Sequence, residues 1–145
     1  MVEIYNGELN VELIINSWYK KYSLKNYGAF ITFVGVVRDE NGIDGLSFDI
    51  YKPLLDTWFH DWQTKVEKQN VILLMAHSIG DVLNHQSSYI AGVVSPKRRA
   101  ALEIIDEFVE DFKQKAPIWK YDIINGERVY AKDRSYKLPG AGLLK

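Results

Sequence analysis

The 145-residue chain contains no cysteine, and this absence excludes several kinds of chemistry. Without a thiol the chain cannot form disulfides, bind a metal through thiolates, use a thiolate nucleophile or carry a persulfide. If this protein handles sulfur, another molecule must bring it.

The sequence also lacks a charge excess and a long apolar run. Its 18 Lys and Arg nearly balance its 19 Asp and Glu, so the whole molecule projects no strong field toward nucleic acid or an anionic membrane. The longest apolar run, Val71 to Ala76, is far shorter than the roughly 20 residues of a membrane helix, and the N-terminus has no signal-peptide pattern. We therefore expect a cytoplasmic protein with no nucleic-acid or membrane partner, in which any anion site is local.

Signatures of nucleotide-binding folds and of serine hydrolases are also missing, because GxGxxG, GxxxxGK[ST] and GxSxG do not occur. His60, His77 and His85 do not have the spacing of metal ligands, and no acidic pair accompanies them. We interpret each histidine as structural and expect neither a metal nor a cofactor.

The residues that are present predict one domain over 1–145. An apolar fraction of 47% and an aromatic fraction of 13% are sufficient for a core. Hydrophobic periodicity, caps and β-branched runs predict the main elements. Strands are expected at Val2 to Tyr5, Gly28 to Val37, Leu46 to Tyr51, Val71 to His77 and Ser88 to Val94. Helices are expected from Val11 to an end near Lys20 to Ser23, from Pro53 to Val66 and from a Ser95 cap to Lys115.

The remaining segments complete a mixed sheet. Gly80, Asp81, Asn84 and His85 are expected in the connection between the fourth and fifth strands. Asn125-Gly126 predicts a tight hairpin turn between Ile118 to Ile124 and Arg128 to Lys132, and the tail 133–145 is expected to be irregular. Interspersed helices and strands predict an α/β fold of the two-layer α+β type, with a mixed sheet, packed helices and a C-terminal hairpin.

Two basic segments are candidates for an anion site. Lys97, Arg98 and Arg99 crowd the start of a helix, where an anionic ligand would offset the unfavourable interaction with the helix dipole, although a solvated basic turn is the alternative. Lys113, Lys115 and Lys120 surround Ala116-Pro117, where the proline break would turn several ammonium groups toward one pocket. For these lysines the alternative is simple stabilisation of the helix C-terminus.

Arg38 is a third kind of candidate, because it follows the apolar strand Gly28 to Val37. Ligands often bind at the carboxyl ends of strands in α/β sheets, although a strand-end arginine is commonly just exposed to solvent. From the residues alone, the chain is an α/β domain with a possible anion pocket built from arginine and lysine.

Three segments closely resemble the MoaE family, the large subunits of molybdopterin synthases. They are GAFITFVGVVR at Gly28 to Arg38, HSIGD at His77 to Asp81 and KQKAPIWK at Lys113 to Lys120. The resemblance implies the hammerhead fold of that family and sulfur transfer to cyclic pyranopterin monophosphate. It also implies a homodimer within a heterotetramer, whose small ubiquitin-like sulfur-carrier subunits (MoaD type) each present a Gly-Gly thiocarboxylate terminus.

The resemblance also suggests roles for individual residues. Lys113 and Lys120 match the lysines on which the family's activity depends, and Arg38 and Arg98 match its anion-binding arginines. We include Lys97, Arg99 and Lys115 in the expected anion-binding set. Physically, ammonium and guanidinium groups stabilise an oxyanion and hold a phosphate.

Two positions depart from the family pattern: Lys97 replaces the usual histidine, and Asp49-Ile50-Tyr51 replaces the common Glu-His-Tyr. Lys97 keeps a positive charge but loses an imidazole that exchanges protons near neutral pH. An alternative function follows, that of a catalytically impaired MoaE-like module that binds the sulfur carrier or an anionic ligand.

Overall fold

The computed structural model describes residues 2–131. The expected end of the last strand at Lys132 and the expected irregular tail 133–145 lie outside this range. The described elements, in chain order, are β1 (Val2–Asn6), α1 (Val11–Tyr22), β2 (Ala29–Val36), β3 (Gly45–Ile50), α2 (Lys52–Val66), a short 3-10 helix (Glu67–Gln69), β4 (Ile72–Leu83), β5 (Ser87–Ser95), α3 (Arg98–Lys115), β6 (Ile118–Ile124) and β7 (Glu127–Tyr130).

The strands form one mixed sheet in the order β2-β5-β4-β3-β6-β7, with β1 also paired to β4. The β1–β4 pair is parallel and the other pairs are antiparallel. The predicted mixed sheet is therefore confirmed. The long strand β4 joins its two halves, because residues 72–77 pair with β5 and residues 80–83 pair with β3.

The length of β4 corrects the sequence prediction, which placed Gly80 and Asp81 in a connection. Gly80 has a φ of +77°, and its lack of a side chain allows this conformation, so the strand changes direction and continues to Leu83. A Cβ at Gly80 would lie 2.9 Å from the Asn6 side-chain oxygen. The true connection is a tight turn in which the Gln86 N–H donates to the Leu83 carbonyl at 3.1 Å.

The helices cover both faces of the sheet. On one face, α2 and α3 pack over alternate residues of β4 and β5, and Phe108 of α3 is fully buried among aromatic rings of α2. On the other face, Ile14 and Trp18 of α1 pack on Leu74 and Ile90. The α+β class is confirmed, and the structure adds a third layer to the two that were expected. None of the helices within residues 2–131 is long and apolar enough to cross a membrane.

The hairpin of β6 and β7 forms as the Asn-Gly dipeptide predicts. Asn125 and Gly126 have φ values of +50° and +79°, the signs that a type I′ turn requires. Strand β3 pairs with β6 along its full length. The hairpin thus extends the sheet beside the C-terminal end of α3.

Candidate active site

A cavity of about 310 Å³ lies between the C-terminal part of α3 and the sheet. Its volume is at the lower end of the range for small-molecule sites. Strands β2 to β6, the loop after β2 and the segment after α3 also contribute to its wall. Among the described residues, the charged groups that line it are Arg38, Glu40, Lys113 and Lys120.

Lys113 and Lys120 enter this cavity from adjoining elements. Helix α3 ends before Pro117, which has no N–H to continue the helical hydrogen bonds, and the chain then enters β6. Lys120 pairs with Phe48 of β3, and the two-residue period of a strand places it on the same face as Ile118. Ile118 and Phe48 line the same cavity. The helix break and the register of β6 therefore bring both lysines to one site.

The loop after β2 carries Arg38 to the same cavity. The Val37 N–H donates to the Gln86 carbonyl at 2.9 Å, and the His85 N–H donates to the Val37 carbonyl at 2.7 Å. These bonds fix the start of the loop on the β4–β5 turn. The Arg38 side chain is 79% exposed, and its Nη2 donates to Glu40 Oε2 at 2.9 Å. Arg38 thus lies at the open side of the cavity, paired with a carboxylate.

Aromatic rings form the interior wall of the cavity. The rings of Tyr89 and Phe112 stack with their centroids 4.1 Å apart, and His77 meets the Phe48 ring edge-on at 4.9 Å. Phe33 packs against Tyr89 at 6.0 Å. Such walls favour flat apolar or heteroaromatic ligands. The cavity therefore combines an aromatic wall with cations.

His77 is buried in this wall and is uncharged. Burial lowers the pKa of His77 to about 4, although the hydrogen bond to the Ser78 carbonyl acts in the opposite direction. Its Nδ1–H donates to that carbonyl at 2.7 Å, so Nε2 is the acceptor nitrogen of the neutral ring. Burial also raises the pKa of Tyr89. At neutral pH the wall carries no charge, and the positive charge comes from Arg38 and the two lysines.

The buried neutral histidine predicts a sensitivity of the fold to acid. The pKa of His77 is about 4 in the folded state, below the ordinary value of 6.5, so between these values the unfolded chain binds a proton that the folded chain does not. Stability therefore falls as the pH is lowered through this window. We expect His77 to account for a loss of about 2 kcal/mol in the free energy of unfolding between pH 7 and pH 5.

Urea denaturation at pH 7 and pH 5 tests this expectation. His77→Gln keeps a donor but does not titrate, and it should lose about 2 kcal/mol less than the wild type between the two pH values. His60→Gln replaces an exposed histidine and serves as the control. Its free energy of unfolding should fall as much between pH 7 and pH 5 as that of the wild type. An equal acid loss in His77→Gln and the wild type would contradict the assignment.

Lys115, included in the expected anion-binding set, lies outside the cavity. Its Nζ is 3.3 Å from Asp111 Oδ1, and Asp111 Oδ2 accepts hydrogen bonds from Trp62 Nε1 at 2.7 Å and Trp58 Nε1 at 3.1 Å. Burial raises the pKa of Asp111, but these two hydrogen bonds and Lys115 outweigh it, so the pKa lies below its ordinary value. Lys115 thus belongs to a contact that joins α3 to α2.

The basic cluster of Lys97, Arg98 and Arg99 lies at the other end of α3. At about 1.5 Å per residue, the helix places Arg98 about 22 Å from Lys113 along its axis. None of the three residues lines the cavity. Within one chain, Arg98 and Lys113 are therefore too far apart to hold the same phosphate group.

The start of α3 also corrects the predicted cap. The helix begins at Arg98 and its N-cap is Lys97, in an extended conformation and without a side-chain cap. Ser95 instead closes a local turn, because its Oγ donates to the Lys97 carbonyl at 2.8 Å and accepts from the Lys97 N–H at 3.2 Å. Serine hydroxyls often form such turns in competition with helix capping.

Sequence reasoning missed two features of the site. Glu40 was not selected, although its position two residues after Arg38 in a predicted loop was a signal for an ion pair. His77 was interpreted as structural, and the structure places it in the cavity wall as a buried neutral ring. Neither its charge state nor its neighbours could be obtained from spacing alone.

The geometry suits a ligand that is flat at one end and anionic at the other. The aromatic wall can bury a ring, while ammonium and guanidinium groups can bind a phosphate or carboxylate and stabilise an oxyanion that forms during acyl transfer. The fold and the cavity thus define an α+β protein with a cavity lined by aromatic rings and cationic side chains.

Comparison with known proteins gives the family. The model of the MoaE protein family matches residues 8–115. The chain is 49% identical over 144 residues to the molybdopterin synthase catalytic subunit of Helicobacter pylori, covering 99% of both chains. This chain belongs to the MoaE protein family, and the resemblance to that family is confirmed.

Solved structures agree in fold. The chain superimposes with a TM-score of 0.92 and 49% identity on a chain of the complex of subunits 1 and 2 of molybdopterin-converting factor from Helicobacter pylori, and 99% of each chain is covered. The molybdopterin synthase of Staphylococcus aureus gives a TM-score of 0.75 at 22% identity, covering 88% of this chain and 94% of that one. The second likeness supports the fold alone.

Proposed function

We propose that this chain is the catalytic subunit of a molybdopterin synthase, which transfers sulfur from the thiocarboxylated C-terminus of a small carrier protein to cyclic pyranopterin monophosphate. The observation that carries the proposal is the cavity in which Arg38, Lys113 and Lys120 surround an aromatic wall. The full-length similarity to the catalytic subunit of Helicobacter pylori supports it.

The chain needs a partner for this reaction. It contains no cysteine, so the transferred sulfur must arrive on another molecule. The similar Helicobacter pylori chain was solved as a complex of subunits 1 and 2 of molybdopterin-converting factor. We therefore propose a MoaD-type sulfur carrier as the partner, and the cytoplasm as the site of the reaction.

The proposed chemistry uses the cations in two ways. The thiocarboxylate sulfur would attack a carbon of the substrate while a C–O bond of that carbon breaks, and the leaving oxygen would take up a proton. Water would then cleave the acyl–sulfur bond of the resulting thioester, which leaves the sulfur on the substrate as a thiolate and a carboxylate on the carrier. Hydrolysis passes through an oxyanion, which the ammonium groups of Lys113 and Lys120 would stabilise. Arg38 would bind the substrate phosphate or the carrier's terminal carboxylate. The aromatic wall would hold the pterin ring and exclude water from it.

Reconstitution tests the function directly. Purified protein, a thiocarboxylated carrier of demonstrated integrity and cyclic pyranopterin monophosphate should together give molybdopterin, detected by chromatography of its fluorescent oxidation product. Carrier with an ordinary carboxylate terminus is the matched control and should give none. Carrier binding without any product would instead favour the catalytically impaired binding module that the departures at Lys97 and Ile50 suggest.

A further inference from the structure

Glu40 is the acidic residue among the described residues that line the cavity. Its carboxylate faces the same open side as Arg38, and its Oε2 lies 2.9 Å from Arg38 Nη2. The side chain of Glu40 is 33% exposed, whereas that of Arg38 is 79% exposed. The better buried partner is thus the anion, and the more exposed partner is the cation that an incoming ligand would meet first.

A tight turn holds Glu40 in this position. The Ile43 N–H donates to the Glu40 carbonyl at 3.2 Å, and the two residues between them, Asn41 and Gly42, have φ values of +55° and +71°. These are the signs of a type I′ turn, for which Asn-Gly is a favoured sequence. The backbone next to Glu40 is therefore fixed by local geometry, and the carboxylate is kept beside the cavity.

From this geometry we infer that Glu40 is a resident anion, which holds Arg38 Nη2 and must be displaced before a substrate anion can take that position. The inference rests on the proposed function, in which an anionic group enters this cavity. Glu40 then lowers the affinity of the cavity for every anion by two routes. The ligand has to break the Arg38–Glu40 pair, and the displaced carboxylate still repels it.

Such a competitor suits a reaction whose products are also anionic. Without this competing carboxylate, Arg38 would hold phosphate ions and the spent carboxylate of the carrier more tightly, and slow release would limit turnover. By competing with these anions, Glu40 shortens the time they occupy Arg38. The residue thus adjusts binding and release without taking part in the transfer of sulfur.

Titration of the protein with inorganic phosphate, followed by calorimetry at low ionic strength, tests the inference without turnover. Glu40→Gln should bind phosphate about two- to fivefold more tightly than the wild type, as expected for the removal of one exposed ion pair. Glu103→Gln is the matched control, since it makes the same change of charge at an exposed position of α3 that does not line the cavity. Its affinity should equal that of the wild type.

The Arg38→Ala background locates the effect. If the competition takes place at Arg38, most of the gain from Glu40→Gln should disappear when Arg38 is absent, and only the part due to repulsion should remain. A carboxylate that merely positions Arg38 gives the opposite sign, namely weaker phosphate binding in Glu40→Gln. That result, an equal gain in Glu103→Gln, or no phosphate binding by Glu40→Gln would overturn the inference. Normal phosphate binding in a protein that forms no molybdopterin would overturn the proposed function alone.

Discussion

Lys113→Ala and Lys120→Ala should each lower kcat for molybdopterin formation by about 100-fold or more while carrier binding survives. The expectation follows from the placement of both ammonium groups in one partly enclosed cavity, where a fixed positive charge stabilises an oxyanion better than solvent does. Removal of one such group commonly costs a factor of about 100 to 1,000 in kcat. Single-turnover kinetics with saturating carrier and precursor would measure the chemical step.

The chain supplies a matched control two residues from Lys113. Lys115→Ala removes the same type of side chain from the same helix, but this lysine pairs with Asp111 outside the cavity. A largely exposed lysine pair contributes little to stability, so the variant should fold normally. Because Lys115 does not line the cavity, kcat should stay within about twofold of the wild type. An equal loss of kcat in Lys115→Ala and Lys113→Ala would show that general charge, and not the cavity, matters.

Arg98→Ala is the second change from which we expect a large loss of activity, because the family resemblance assigns this arginine to anion binding. Because α3 places Arg98 about 22 Å from Lys113, the two can act on one phosphate only when a second copy of the chain supplies one of them. The homodimer expected for this family offers that arrangement. Arg98 and Lys120 would then belong to one composite site.

Mixing two inactive variants tests whether Arg98 of one chain and Lys120 of the other act in one shared site. When Arg98→Ala and Lys120→Ala chains are refolded together, about half of the dimers are mixed, and each mixed dimer has one site with both residues intact. Activity should return to about a quarter of the wild-type value. Full activity of Arg98→Ala alone would remove the arginine from the site. Mixed dimers without recovery would contradict the shared site.

Much of the fold was predictable because its signals are local. The Asn125-Gly126 turn determines the hairpin, and the apolar spacing of α1 and α3 determines their extent. The course of β4 was not predictable in this way. A glycine such as Gly80 is typical of a turn, and only the pairing of residues 80–83 with β3 makes it part of a strand. The order of strands and the position of α1 on the opposite face likewise depend on contacts between distant segments.

The candidate site was likewise only partly predictable from local sequence. The helix break at Pro117 predicted that the lysines around it face one pocket, and Lys113 and Lys120, but not Lys115, line the cavity. It could not distinguish Lys113 from Lys115, although residues two apart on a helix differ by about 200° and cannot face the same cavity. The position of Glu40 depends on a turn whose orientation is set by hydrogen bonds to the β4–β5 turn. Those bonds are tertiary, and no local pattern encodes them.

The short path between α3 and β6 has a consequence for tolerance to insertions and deletions. One residue added between Lys113 and Pro117 would turn the point at which the chain leaves α3 by about 100° around the helix axis, and would so redirect β6 relative to Lys113. One residue added at the start of β6 would move Lys120 to the opposite face of its strand. Either change would separate the two ammonium groups while leaving composition and net charge almost the same. Natural length variation in this protein should therefore concentrate elsewhere, and the spacing between these lysines should be nearly invariant.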